Sequence, residues 1–100
     1  MDKSSIENLI FAIEKGKVRG FDELKEVNGE SYFFQYALKM RNGLYNTYFF
    51  YVPESKMDVI EDYAAEEIKE FRTITDAFNY FKLLGVNVEN FSAIKGTLPF

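Results

Sequence analysis

Ile6, Leu9, Ile10 and Ile13 recur at spacings of three and four, the apolar stripe of an amphipathic helix. Ser4 and Glu7 stand as an S-x-x-E capping box ahead of that stripe, and Gly16 comes after it as a natural stop. The pattern predicts a helix over about Ser4 to Lys15. Two Asn-Gly dipeptides, Asn28-Gly29 and Asn42-Gly43, then separate runs rich in β-prone residues. Asn-Gly suits the left-handed positions of a type I′ hairpin turn. The reading is therefore a three-stranded antiparallel meander, about Glu23–Val27, Ser31–Arg41 and Leu44–Val52, ended by Pro53.

A two-residue turn sets the register, so Arg41 faces Leu44, Lys39 faces Asn46 and Tyr36 faces Phe49. One face then carries Phe34, Tyr36, Leu38, Met40, Tyr45, Phe49 and Tyr51. The other carries Phe33, Ala37, Tyr48, Phe50 and Val52, with Lys39, Arg41 and Asn46 near the turn. The first face has the look of a core. The first strand conflicts with it, because its turn puts Glu23 and Lys25 beside the aromatic face and Leu24 on the other. A one-residue slip would exchange the faces, so the choice of core face stays open here.

After Pro53 the period changes. Met57, Ile60, Ala64, Ile68 and Phe71 step by three and four, and Ser55 with Asp58 is a weaker capping pair. One helix from about Ser55 to Glu70 is the favoured reading. The competing one breaks near Ala65 and makes Glu67–Phe71 a fourth strand. Thr73 or Thr75 caps a further helix with Ile74, Ala77, Phe78, Phe81 and Leu84 on its apolar face and Gly85 at its end. From Val86 to Phe100 no period is evident, although Phe91, Ile94, Leu98 and Phe100 are apolar enough to pack back. The expected fold is a single α+β domain over 1–100: an N-terminal helix, the meander, and two C-terminal helices packed on one sheet face.

Composition narrows the chemistry. The 100 residues include no cysteine, histidine or tryptophan, which removes disulfides, thiolate metal sites and histidine-based triads. There is no EF-hand loop, P-loop or dinucleotide fingerprint. No cofactor, no metal and no enzymatic activity are expected. No apolar run is long enough to span a membrane. Met1 to Glu7 is polar and leads into the amphipathic pattern, which predicts a cytoplasmic protein without a signal peptide.

Charge is the uneven feature. Residues 54–70 hold seven acids and two bases, a formal −5, whereas the other positions hold nine acids and ten bases, a formal +1. On a helix Glu54, Asp58, Asp62, Glu66 and Glu70 stack four apart as one row of carboxylates, with Glu61 beside them. Such a row is commonly a solvated outer face. Its segregation from the rest of the charge also suits a basic protein partner. The sheet adds Tyr45, Tyr48 and Tyr51 as candidate aromatic anchors. Direct binding of nucleic acid is disfavoured by the negative charge.

The Tyr/Phe-rich meander Ser31–Val52, the acidic stretch Glu54–Glu70, the helix Thr73–Gly85 and the tail Phe91–Phe100 give the chain a general resemblance. It resembles the small, acidic, cysteine-free α+β immunity proteins that bacteria encode beside secreted or contact-delivered toxins. That resemblance implies a protein that neutralises one cognate toxin, often a nuclease, by occluding its active site or an adjacent surface. The partner-binding residues expected on this basis are Glu54, Asp58, Glu61, Asp62, Glu66, Glu70, Tyr45, Tyr48 and Tyr51. Two other readings use the same features: a phage-encoded nucleic-acid mimic blocking a host defence enzyme, and a homodimeric or small-ligand-binding domain built on the aromatic sheet.

Overall fold

The computed structural model describes residues 3–94 and 98, with the side chains of Lys3, Ser4, Ser5 and Glu61 outside the described set. The first helix, α1, spans Lys3–Glu14 and turns Leu9 and Ile13 into the core. The Ser4 half of the expected capping box lies outside the described side chains. Three long strands come next: β1 (Arg19–Val27), β2 (Glu30–Arg41) and β3 (Leu44–Pro53). Both hairpin turns are the Asn-Gly pairs, and all four residues have positive φ, between 52° and 82°. This is the backbone that a type I′ turn demands and that Asn and Gly tolerate best.

The register obeys the turns: Arg41 pairs with Leu44, Lys39 with Asn46 and Tyr36 with Phe49, while Glu23 pairs with Phe34 and Lys25 with Tyr32. The face bearing Tyr36, Leu38 and Tyr45 is the core face, where they meet Leu9, Ile13, Ala77 and Phe81. The conflict in the first strand is accommodated rather than removed. The Tyr36 hydroxyl donates to Glu23 Oε2 at 2.8 Å, and the Lys25 ammonium sits over the Phe34 ring. Leu24, on the other face, is 64% exposed.

The expected three-stranded meander with two C-terminal helices is corrected by the path of the chain after Pro53. A 3₁₀ segment, Glu54–Val59, contains a non-helical break at Lys56 (φ −116°, ψ 17°) and leads into a single helical turn, α2, Ile60–Tyr63. Residues Ala65–Phe71 are strand β4, antiparallel to β3 along the whole run from Tyr45↔Phe71 to Tyr51↔Ala65. A second helix, α3, spans Ile74–Leu83, with the Thr73 hydroxyl capping it by accepting from the Asp76 amide. A 3₁₀ turn at Val88–Asn90 precedes the two-residue strand β5, Ser92–Ala93, on the outer side of β1. The result is a five-stranded antiparallel sheet in the order β4-β3-β2-β1-β5, with one helix before it and one after β4. Of the expected tail, Phe91 is buried and Ile94 and Leu98 are half-buried, whereas Phe100 lies outside the described residues.

Two forces explain why 54–71 is not one helix. Five carboxylates at four-residue spacing make four like-charge pairs, a cost of roughly 1–2 kcal/mol in total. Without β4, the backbone donors and acceptors along one edge of β3 would also have no protein partner. As a strand, the segment fills that edge and places Phe71 against Tyr80 of α3, ring centroids 5.5 Å apart.

Gly20, in β1, is buried where β5 returns. A Cβ there would overlap the Tyr36 carbonyl oxygen and the Ile94 side chain. Because one of those neighbours is backbone, it cannot swing aside. Gly20→Ala is expected to destabilise the protein by roughly 1–3 kcal/mol in chemical denaturation, and pairing it with Ile94→Ala should recover only part of the loss.

Candidate functional site

The fold scatters the expected row of carboxylates. Glu54 and Asp58 lie on the 3₁₀ segment and Asp62 on α2, all exposed. The Glu61 side chain lies outside the described set. Glu66 and Glu70 project from β4 on the same face as Ile68, and strand alternation sends Glu67 to the opposite, core face. The unbroken row on which both the inhibitor and the nucleic-acid-mimic readings drew is not formed in this fold.

Each carboxylate near the start of β4 has a tyrosine partner. The Tyr48 hydroxyl donates to Glu66 Oε2 at 3.2 Å on one face of the sheet. On the other, the Tyr80 hydroxyl of α3 donates to Glu67 Oε1 at 3.3 Å, and the same oxygen pairs with Lys69 Nζ at 3.1 Å. Neither Glu67 nor Tyr80 stands out in the sequence; only knowing that 65–71 is a strand places them together. Burial first, and then the charge of Glu66, pushes the Tyr48 phenol up to about 12. Tyr80 is pushed up to about 12 in the same way, by burial and then by Glu67.

The three tyrosines expected as anchors separate. Tyr45 is 7% exposed and donates to Glu14 Oε2 at 3.0 Å, tying α1 to the sheet. Tyr48 is 4% exposed. Both side chains are interior, so neither offers a ring to a partner in this fold. Tyr51 is 36% exposed and remains a surface aromatic.

Two of the surface hollows among the described residues bear on the site. The first is a hollow of about 460 Å³ lined by Met57, Asp58, Val59, Ile60 and Asp62. Here two of the expected acids meet three apolar side chains that are each about 40% exposed. The second is an aromatic shelf on the core face, beyond the reach of the helices. It is a depression of about 360 Å³ lined by Val27, Tyr32, Phe34, Phe49 and Tyr51. Its rings continue the aromatic ladder of the core. Tyr36 and Phe49 stack at 5.6 Å and 3°, and Phe34 and Phe49 at 6.3 Å and 3°. The alternation in β2 and β3 had put Phe34, Phe49 and Tyr51 on one face; where helix cover stops along that face is a tertiary property.

Among the described residues, no group of three or more acidic, histidine or cysteine side chains is placed to hold a metal ion. Among the described residues, no helix is long and apolar enough to cross a membrane. The fold defines a small α+β protein built on an antiparallel sheet. In comparisons with known proteins, no family model, curated protein or solved structure matches the chain significantly.

The tyrosine–glutamate pairs carry a pH signature. Below pH 10 these phenols are neutral in both the folded and the unfolded chain. Above it the unfolded chain ionises at the ordinary value of 10, while folded Tyr48 and Tyr80 hold their protons to about 12. Their contribution is thus fully present below pH 10 and is lost as pH rises through that window. Urea denaturation from pH 8 to 12 should show stability falling between 10 and 12, with a shallower fall in a Tyr48→Phe/Tyr80→Phe variant.

Proposed function

We propose that this protein is a non-enzymatic inhibitor of the immunity type, binding one basic partner protein, such as a toxic nuclease, in a one-to-one complex. The observation that carries the reading is the hollow formed by Met57, Asp58, Val59, Ile60 and Asp62. It lies within the stretch that holds the whole excess of negative charge. Apolar side chains at the centre of a contact supply desolvation energy, and carboxylates around them steer a basic surface and disfavour acidic ones. Glu54 extends the acidic field towards the end of β3, and Tyr63, 51% exposed, adds an aromatic side chain on α2.

This reading keeps Asp58, Asp62 and Glu54 as contact residues and replaces a helical ridge by a mixed apolar and acidic hollow. Glu66 is exposed on β4 and accepts from the Tyr48 hydroxyl, away from the hollow.

The test is co-expression with the toxic domain encoded beside the gene. The reading expects protected cells and a one-to-one complex on gel filtration. A Glu54→Lys/Asp58→Lys/Asp62→Lys variant should melt at the same temperature but bind at least tenfold more weakly, mostly through a slower association rate. A triple variant that protects as well as the parent, or a neighbourhood without a toxin gene, contradicts the reading.

A further inference from the structure

We propose that the aromatic shelf is a cation-accepting site that receives an arginine side chain presented by a segment of a partner protein. The shelf is an open floor of Tyr32, Phe34, Phe49 and Tyr51 beside Val27. Exposed ring faces attract cations through their quadrupole, and a planar guanidinium lies flat on them better than a compact ammonium does.

The molecule already places a cation there. Lys25 Nζ, from β1, sits 5.3 Å from the centroid of the Phe34 ring, within the range over which such attraction operates. It is a tethered stand-in for an incoming cation. The surroundings favour positive charge as well. Glu23 is paired in register with Phe34, whereas Glu67, paired in register with Phe49, is already matched by Lys69. Burial first, and then the charge of Glu30, raises the Tyr32 phenol above its ordinary value. The acidic stretch begins at Glu54, immediately after Pro53, the residue paired with Tyr32. A phosphate or a carboxylate ligand would meet these carboxylates first. An arginine would lay its stem along Val27 and Tyr51 and displace the Lys25 ammonium from Phe34.

This site is built from residues other than those of the Met57–Asp62 hollow, so it stands or falls separately from the inhibitor reading. The probe is acetyl-arginine amide, with acetyl-citrulline amide as the neutral isostere, titrated into the ¹⁵N-labelled protein. Saturable shifts confined to Val27, Tyr32, Phe34, Phe49, Tyr51 and Lys25 are expected with arginine, at an affinity on the order of 1 mM. Tyr51→Ala should weaken binding about two- to fivefold. Lys25→Met should tighten it by a similar factor, since it removes both a competitor and a like charge.

The Lys25 variant keeps the question decidable if Tyr51→Ala folds poorly. Equal binding of citrulline, shifts spread elsewhere, or a Lys25→Met variant that binds no more tightly would overturn the proposal. So would concentration-dependent shifts at the same residues without any probe, which would assign the shelf to a second copy of the chain.

Discussion

The structure depends on a register that cannot slip. Asn28-Gly29 and Asn42-Gly43 each hold both turn residues at positive φ, so two-residue connections lock β1 to β2 and β2 to β3. Because side chains alternate across a strand, that lock decides every facing at once. It assembles Tyr36, Leu38 and Tyr45 into the floor under the two helices and leaves Leu24 on the outside. It also forces Glu23 and Lys25 onto the aromatic face, where each finds a ring or a hydroxyl as partner. A charged residue on a core face is costly when buried; here Lys25 is exposed and Glu23 is half-buried and hydrogen-bonded, which makes this register tolerable.

Tyrosine supplies that pairing repeatedly. Tyr36, Tyr45, Tyr48 and Tyr80 each donate to a glutamate: Glu23 on β1, Glu14 on α1, and Glu66 and Glu67 on β4. Hydrogen bonds to a charged acceptor are stronger than neutral ones, and these reach most of the elements around the sheet. The aromatic content therefore does two jobs. One set of rings fills the interior and holds carboxylates in place, while a smaller set, at the end of the sheet that the helices do not reach, forms an open shelf. The acids likewise divide into those fixed by tyrosine and those, such as Asp58 and Asp62, that border a surface hollow.

Much of this was legible in the residues. The isoleucine stripe marks α1, the Asn-Gly pairs mark both hairpins and their register, and Thr73 and Thr75 mark the start of α3, which Thr73 caps. The stretch 54–71 was not legible in the same way. Met57, Ile60, Ala64, Ile68 and Phe71 satisfy a helical period, yet the strand that forms there is decided by the open edge of β3, which no local window contains. Lys56 breaks the helix without any proline or glycine to announce it. β1 begins at Arg19, ahead of the expected start at Glu23, and within the added stretch Gly20 permits β5 and Ile94 to approach the sheet closely. The candidate site inherits these limits. Asp58 and Asp62 remain neighbours because one short turn joins them, while Tyr45 and Tyr48 turn inward, since alternation alone does not separate a buried tyrosine from an anchoring one.

The division of the acidic stretch into a broken turn and an edge strand is the claim on which the sheet topology and the inhibitor reading rest. Backbone nuclear Overhauser contacts across 54–71 measure it directly. The account predicts cross-strand contacts between Phe49 and Glu67 and between Thr47 and Lys69, with no helical i to i+3 contacts beyond Ala64. An unbroken series of i to i+3 contacts from Ser55 to Glu70 would restore the single helix and contradict the account.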